Sequence, residues 1–168
     1  MERGRRVNSM LPAVLVAAAF GIAIANVRSE WLWSSIVVFV ASAAIVAFAP
    51  IPAVWNERTY LACWIVIVAC SAGVHLSNAV RARVMVVLAL AAGATGGAVA
   101  GAANAHAYAI VASLSLIATT TSLASRAVAQ RVPLAPKVVS SWLMAVALLA
   151  ATLQMLPVTP GYLPDHLE

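Results

Sequence analysis

The chain has 168 residues, of which 64% are hydrophobic and only 9% are charged, and its formal net charge is +5. A soluble domain is about 45–50% apolar and about 25% charged, so this composition excludes an ordinary water-soluble enzyme, a disulfide-rich secreted scaffold and a disordered chain. It predicts an integral membrane protein with several helical spans. The charges stand singly or in pairs between apolar stretches, where basic residues set topology and contact lipid head groups. We therefore expect membrane lipids, and no nucleic acid, as partners.

The spacing of the charged residues predicts where the spans lie. Four intervals between consecutive charges are 21 to 27 residues long, and about 20 residues of helix cross a hydrocarbon core. The interval between Arg83 and Arg126 has 42 residues, which as one helix would be about 63 Å long, so it should hold two spans with a turn at 101–106. The prediction is an all-α bundle of about six transmembrane helices. They cover 10–27, 31–50, 59–79, 84–101, 106–125 and 138–157, between a basic tail over 1–9 and a C-terminal tail over 158–168.

The first predicted span has the features of a secretory signal peptide. Basic residues precede a short apolar stretch, and Ala23, Ile24 and Ala25 match the small-residue cleavage pattern. Cleavage after Ala25 would leave five spans. Because alanine-x-alanine recurs throughout this alanine-rich chain, we expect an uncleaved helix. Pro12 should lie in its first turn, where the missing N–H does little harm.

The cysteines and histidines do not predict a site. Cys63 and Cys70 are seven residues apart in one apolar stretch, about 10.5 Å along a helix, and a disulfide needs Cα atoms within about 7 Å. His75 lies near the end of the third span and His106 opens the fifth, so in six spans they face opposite sides of the membrane. We expect no metal site and no cofactor.

The fourth span carries a row of small residues. Gly93, Gly97 and Gly101 recur every four residues, and small residues at this spacing allow two helix backbones to approach closely in lipid. The row predicts that another helix packs on this face. That helix can belong to the same chain or to a partner.

The fifth span is the most polar. Ser115, Thr119 and Ser122 share one helix face, which Arg126 continues at its end. One interpretation is a hydroxyl-lined path or an anion site closed by Arg126. The alternative, which we favour, is helix packing, in which serine and threonine bond to helix carbonyls.

Basic residues between the spans are candidates for contact with lipid head groups. They are Arg81, Arg83, Arg131 and Lys137. The alternative is that they only set the topology. With six spans both termini share one side, which has four basic residues against six on the other. The positive-inside rule then places the N-terminus outside, although the basic residues before the first span oppose this.

The predicted interior of the spans contains no Asp, Glu, Lys or Arg, and intramembrane acid–base chemistry usually needs such groups. The main hypothesis is therefore a non-enzymatic structural or accessory subunit of a larger membrane assembly, with other subunits or further copies as partners. An alternative is a small transporter or channel that uses the hydroxyl face of span five. A second alternative is a holin-like pore former, which should kill cells on induction. We expect a multi-pass protein of the bacterial inner membrane.

Overall fold

The computed structural model describes residues 2–25, 27, 29–50, 52–103, 106–130, 132 and 134–155. Within them the chain forms six α-helices and one short 3-10 helix at Ala53–Trp55, without a strand. This confirms the predicted all-α bundle. The helices are α1 (Glu2–Ile24), α2 (Ser29–Ala47), α3 (Asn56–Gly73), α4 (Asn78–Ala102), α5 (His106–Ala129) and α6 (Leu134–Met155).

Four of the helices have the length and hydropathy to cross a membrane. Their apolar windows are Glu30–Ala47, Val80–Ala102, Tyr108–Ala129 and Leu134–Met155. In α1 the apolar part is the shorter segment Leu11–Ile24. Helix α3 has 18 residues and begins with polar ones, including Glu57 in its first turn. The prediction of a membrane-embedded helical protein is thus confirmed, and four of its six helices qualify as full spans by themselves.

The helix ends differ from the predicted spans. Helix α1 begins at Glu2, so residues 2–9 are helical where a tail was predicted, and Pro12 lies inside the helix. The predicted third span ends at 79 and the fourth begins at 84, whereas α3 ends at Gly73 and α4 begins at Asn78. Helix α3 ends earlier than its predicted span because Ser77 is the N-cap residue of α4, a position that serine favours. For α1 and α4 the physical reason is that a charged residue marks the edge of the hydrocarbon core, whereas a helix continues into the head-group region, where long basic side chains reach water.

The same reason explains why α5 continues past Arg126 to Ala129, and why α6 begins at Leu134, three residues before Lys137. The turn predicted at 101–106 agrees with the structure, because α4 ends at Ala102 and α5 begins at His106. The predicted C-terminal tail, 158–168, lies outside the described residues.

Three helices form the centre of the bundle and each carries one outer helix. Helices α1, α3 and α4 pack against one another, while α5 lies mainly on α1, α6 on α3, and α2 on α4. The largest fully buried side chains, Phe20, Ile24, Ile67 and Met85, all come from the three central helices. The outer helices present bulky apolar side chains to the surroundings, as a lipid-facing surface requires. These include Trp33, Val37 and Ile45 on α2, Val111 and Leu123 on α5, and Trp142, Leu149 and Leu153 on α6.

Candidate functional site

The glycine row of α4 packs on α2 of the same chain. A Cβ added at Gly97 would overlap the backbone of Ala43, and one at Gly93 would overlap the carbonyl of Phe39. Gly101 faces the carbonyl of Ala47 in the same way, so the contacts advance together along both helices and the two helices are parallel. Such close backbone approach brings Cα–H groups to carbonyl oxygens. The helix that the glycine row was predicted to meet is therefore α2.

A second parallel pair, α1 with α5, uses one glycine and two hydroxyl groups. A Cβ at Gly21 would overlap the side chain of Thr120. Thr121 donates a hydrogen bond to the Gly21 carbonyl at 2.9 Å, and Ser125 donates to the Ala25 carbonyl at 3.2 Å. This contact was not predicted from the sequence, although Ala17, Gly21 and Ala25 are small residues at four-residue spacing.

The predicted hydroxyl row of α5 lies on the outside of the bundle. Ser115, Thr119 and Ser122 are exposed, and each donates to a carbonyl of its own helix, as Ser122 does to Ala118 at 2.7 Å. Arg126 is exposed in the last turn. We call Ser115, Thr119 and Ser122 the outer α5 stripe. Because it faces away from the central helices, a polar path along it would need a second chain to close it.

The candidate head-group residues occupy different environments. Nη2 of Arg81 donates to the carbonyls of Val74 at 2.9 Å and Leu76 at 2.6 Å, so this guanidinium caps the end of α3. Arg83 and Lys137 are exposed, in the first turns of α4 and α6. Arg131 lies outside the described residues. Arg81 therefore serves the fold, while Arg83 and Lys137 are available to head groups.

One polar cluster was missed by sequence reasoning. Where α3 meets α6, the buried Ser140 hydroxyl donates to the Ser71 carbonyl at 2.7 Å, and Ser141 Oγ lies 3.5 Å from Nε2 of His75. We call Ser71, His75, Ser140 and Ser141 the polar seam. Its members come from two distant parts of the chain. The signals in the sequence are that Ser71 and His75 stand one helical turn apart near the end of one predicted span, and that Ser140 and Ser141 are adjacent near the start of another.

The remaining candidates are the two cysteines, which have no metal-binding cluster around them in the described part of the chain. Cys63 and Cys70 are buried free thiols, and Cys63 Sγ lies 3.9 Å from the Thr95 carbonyl. The described residues contain no group of three His, Cys, Asp or Glu that could hold a metal ion. The chain gives no match to a protein-family model, to a curated protein or to a solved structure. Function is therefore inferred from the surfaces and contacts described above.

Proposed function

We propose that this protein is a non-enzymatic structural or accessory subunit of a larger membrane assembly, and that it meets its neighbour through the outer α5 stripe. The supporting observation is the exposure of this polar face. Only 11% of the apolar window of α5 is buried, against 50% in α4, and its mean hydropathy of 1.4 is the lowest of the four. Small hydroxyl side chains at helical spacing favour helix–helix contact in lipid over contact with acyl chains.

The interior of the bundle leaves little room for a functional site, so we place the function on its outer surface. The centre is filled by apolar side chains of α1, α3 and α4, and the glycine row of α4 is occupied by α2. The described turns are too short to house a soluble catalytic domain. An activity that needs a large polar site thus has little support, whereas a contact between helices in the membrane needs only a suitable face.

The test is purification in a mild detergent, followed by mass spectrometry of the proteins that stay bound. Thr119→Leu and Ser122→Leu place bulky side chains on the outer α5 stripe, and we expect them to abolish the capture of a defined membrane partner. Ala145→Leu is the matched control, because Ala145 is an exposed small residue on α6. The proposal is wrong if wild type captures no defined membrane protein, or if the α5 variants capture it as well as the control does.

A small transporter or channel is a second candidate, supported by how the two halves of the chain pair. Helix α1 packs on α5 and α4 packs on α2, each pair being parallel and each meeting at a glycine, while α3 packs on α6. Such exchanged pairing between two three-helix halves is typical of inverted repeats, which many transporters contain. A transporter should purify as a discrete monomer or dimer whose melting temperature rises with a specific solute. A subunit should lose stability when separated from its partner.

We also propose that the protein resides in the bacterial inner membrane with its N-terminus outside. Arg81, Arg83, Arg126 and Lys137 lie at one end of the bundle, which we call the basic end, and the positive-inside rule places such an end in the cytoplasm. Alkaline phosphatase fused after Arg83 should be inactive and phosphatase fused after Glu168 active. The reverse pattern would refute this orientation.

A further inference from the structure

The polar seam opens to the surroundings at the basic end. Ser71 and Ser140 form its buried part, each 1% exposed, while His75 and Ser141 are exposed. The Ser71 hydroxyl makes no hydrogen bond to any described residue, although its carbonyl accepts from Ser140. The exposed part of the seam offers an imidazole and a hydroxyl 3.5 Å apart, both of which donate hydrogen bonds.

Positive charge lies next to these donors. Lys137 precedes Ser141 by four residues on α6, so the two share one helix face, and Lys137 is exposed. Helix α4 begins at Asn78, three residues after His75, and its N-cap residue Ser77 makes no side-chain capping bond to the described first turn. The positive end of the α4 dipole is thus added to the Lys137 charge near the seam.

The seam also lies near one end of the bundle. Ser71 is in the last turn of α3 and His75 follows that helix by two residues, while Ser140 and Ser141 are the seventh and eighth residues of α6. Trp142, adjacent to Ser141, is 64% exposed, and exposed tryptophan near a span end is typical of the membrane–water interface. A lipid at this end of the bundle can therefore present its head group to these donors.

We propose that His75, Lys137 and Ser141 bind the phosphate of an anionic phospholipid at the α3–α6 seam. The ammonium group of Lys137 neutralises the phosphodiester, and the Ser141 hydroxyl and an N–H of His75 donate to its oxygens. The acyl chains then lie along the exposed apolar surface of α6, which includes Val138 and Trp142. This site does not depend on the proposed subunit role, because it uses α3 and α6 rather than α5.

The test measures lipid retained by the purified protein. Protein in phosphatidylcholine nanodiscs with and without phosphatidylglycerol is transferred to detergent, and bound lipid is counted by native mass spectrometry. We expect wild type to retain phosphatidylglycerol. Lys137→Gln should reduce the affinity about fivefold, which corresponds to the ~1 kcal/mol that one basic residue contributes at an anionic surface. Ser141→Ala should lower it without changing any charge.

Matched controls separate this site from general attraction to charge. Arg58→Gln removes an exposed cation that stacks on Trp55 at 5.0 Å at the opposite end of the bundle, and Ser34→Ala removes an exposed serine on α2. Both should retain phosphatidylglycerol as wild type does. The proposal is overturned if the seam variants retain as much lipid as these controls, or if all four variants lose it equally. The proposal would also be overturned if protein from nanodiscs of phosphatidylcholine alone bound inorganic phosphate at the seam in place of a lipid, because the ligand would then be the free anion.

Discussion

Gly97 of α4 lies so close to Ala43 of α2 that a methyl group at Gly97 would overlap the carbonyl oxygen and the Cα of Ala43. The neighbouring glycine differs, since apart from the adjacent backbone of α4 no described atom lies within 4 Å of a Cβ placed at Gly96. Lipid is as apolar as a leucine side chain, so the attraction between α2 and α4 comes from close packing rather than from the hydrophobic effect. Helix α2 has its main contact with α4, and this glycine row therefore secures it to the bundle.

Replacement of each glycine by alanine gives a matched test of this contact. Gly97→Ala should lower the free energy of unfolding by about 1–3 kcal/mol, the usual effect of overpacking. Gly96→Ala should leave it unchanged or raise it, because alanine is the better helix former. The measurement is thermal unfolding of both variants in one detergent. Equal effects of the two substitutions would contradict the register that pairs Gly97 with Ala43.

Arg81 and Arg83 give a second matched pair. The Arg81 guanidinium donates to the carbonyls of Val74, the C-cap residue of α3, and of Leu76 in the turn that follows. Arg81→Ala should therefore cost about 1.5–3 kcal/mol, the range for hydrogen bonds to a charged group, whereas exposed Arg83→Ala should cost about 0.5 kcal/mol or less. The stability losses of both variants are measured by unfolding in detergent and by hydrogen exchange of the 74–77 turn. If Arg83→Ala destabilised the protein more than Arg81→Ala, the capping role would be wrong.

The threonines of α5 separate a hydroxyl that joins two helices from one that bonds within its own helix. Thr121 donates to the Gly21 carbonyl of α1, whereas Thr119 donates to carbonyls of α5. Thr121→Val should cost about 0.6 kcal/mol, the average for a hydrogen bond between membrane helices. Thr119→Val keeps the shape of an exposed side chain, so we expect no measurable loss of stability. Reversible unfolding in mixed micelles resolves the difference, and a larger loss for Thr119→Val would refute the assignment.

The sequence predicts those features that local patterns encode. Charge spacing and apolar length predicted six helical segments, and the small and polar residues at 101–106 predicted the turn between α4 and α5. The partner of Gly97 could not be predicted, because four-residue spacing is the same whether the second helix is α2 or another chain. The seam was missed because His75 and Ser141 are 66 residues apart and meet only through the packing of α6 on α3. No spacing of residues within either helix encodes that contact.

The structure also bears on the fate of the first helix. Phe20 and Ile24 of α1 are fully buried, and the Phe20 ring stacks on Phe39 of α2 with centroids 5.3 Å apart. Removal of residues up to Ala25 would open the centre of the bundle. We therefore expect the native protein to retain α1, and intact mass spectrometry after expression in bacteria should show it. A mature chain that starts at Asn26 would contradict this.

Phe20→Ala should destabilise the retained bundle by about 3–5 kcal/mol, because a large buried side chain leaves a cavity, while Leu11→Ala, at an exposed position of the same helix, should have little effect.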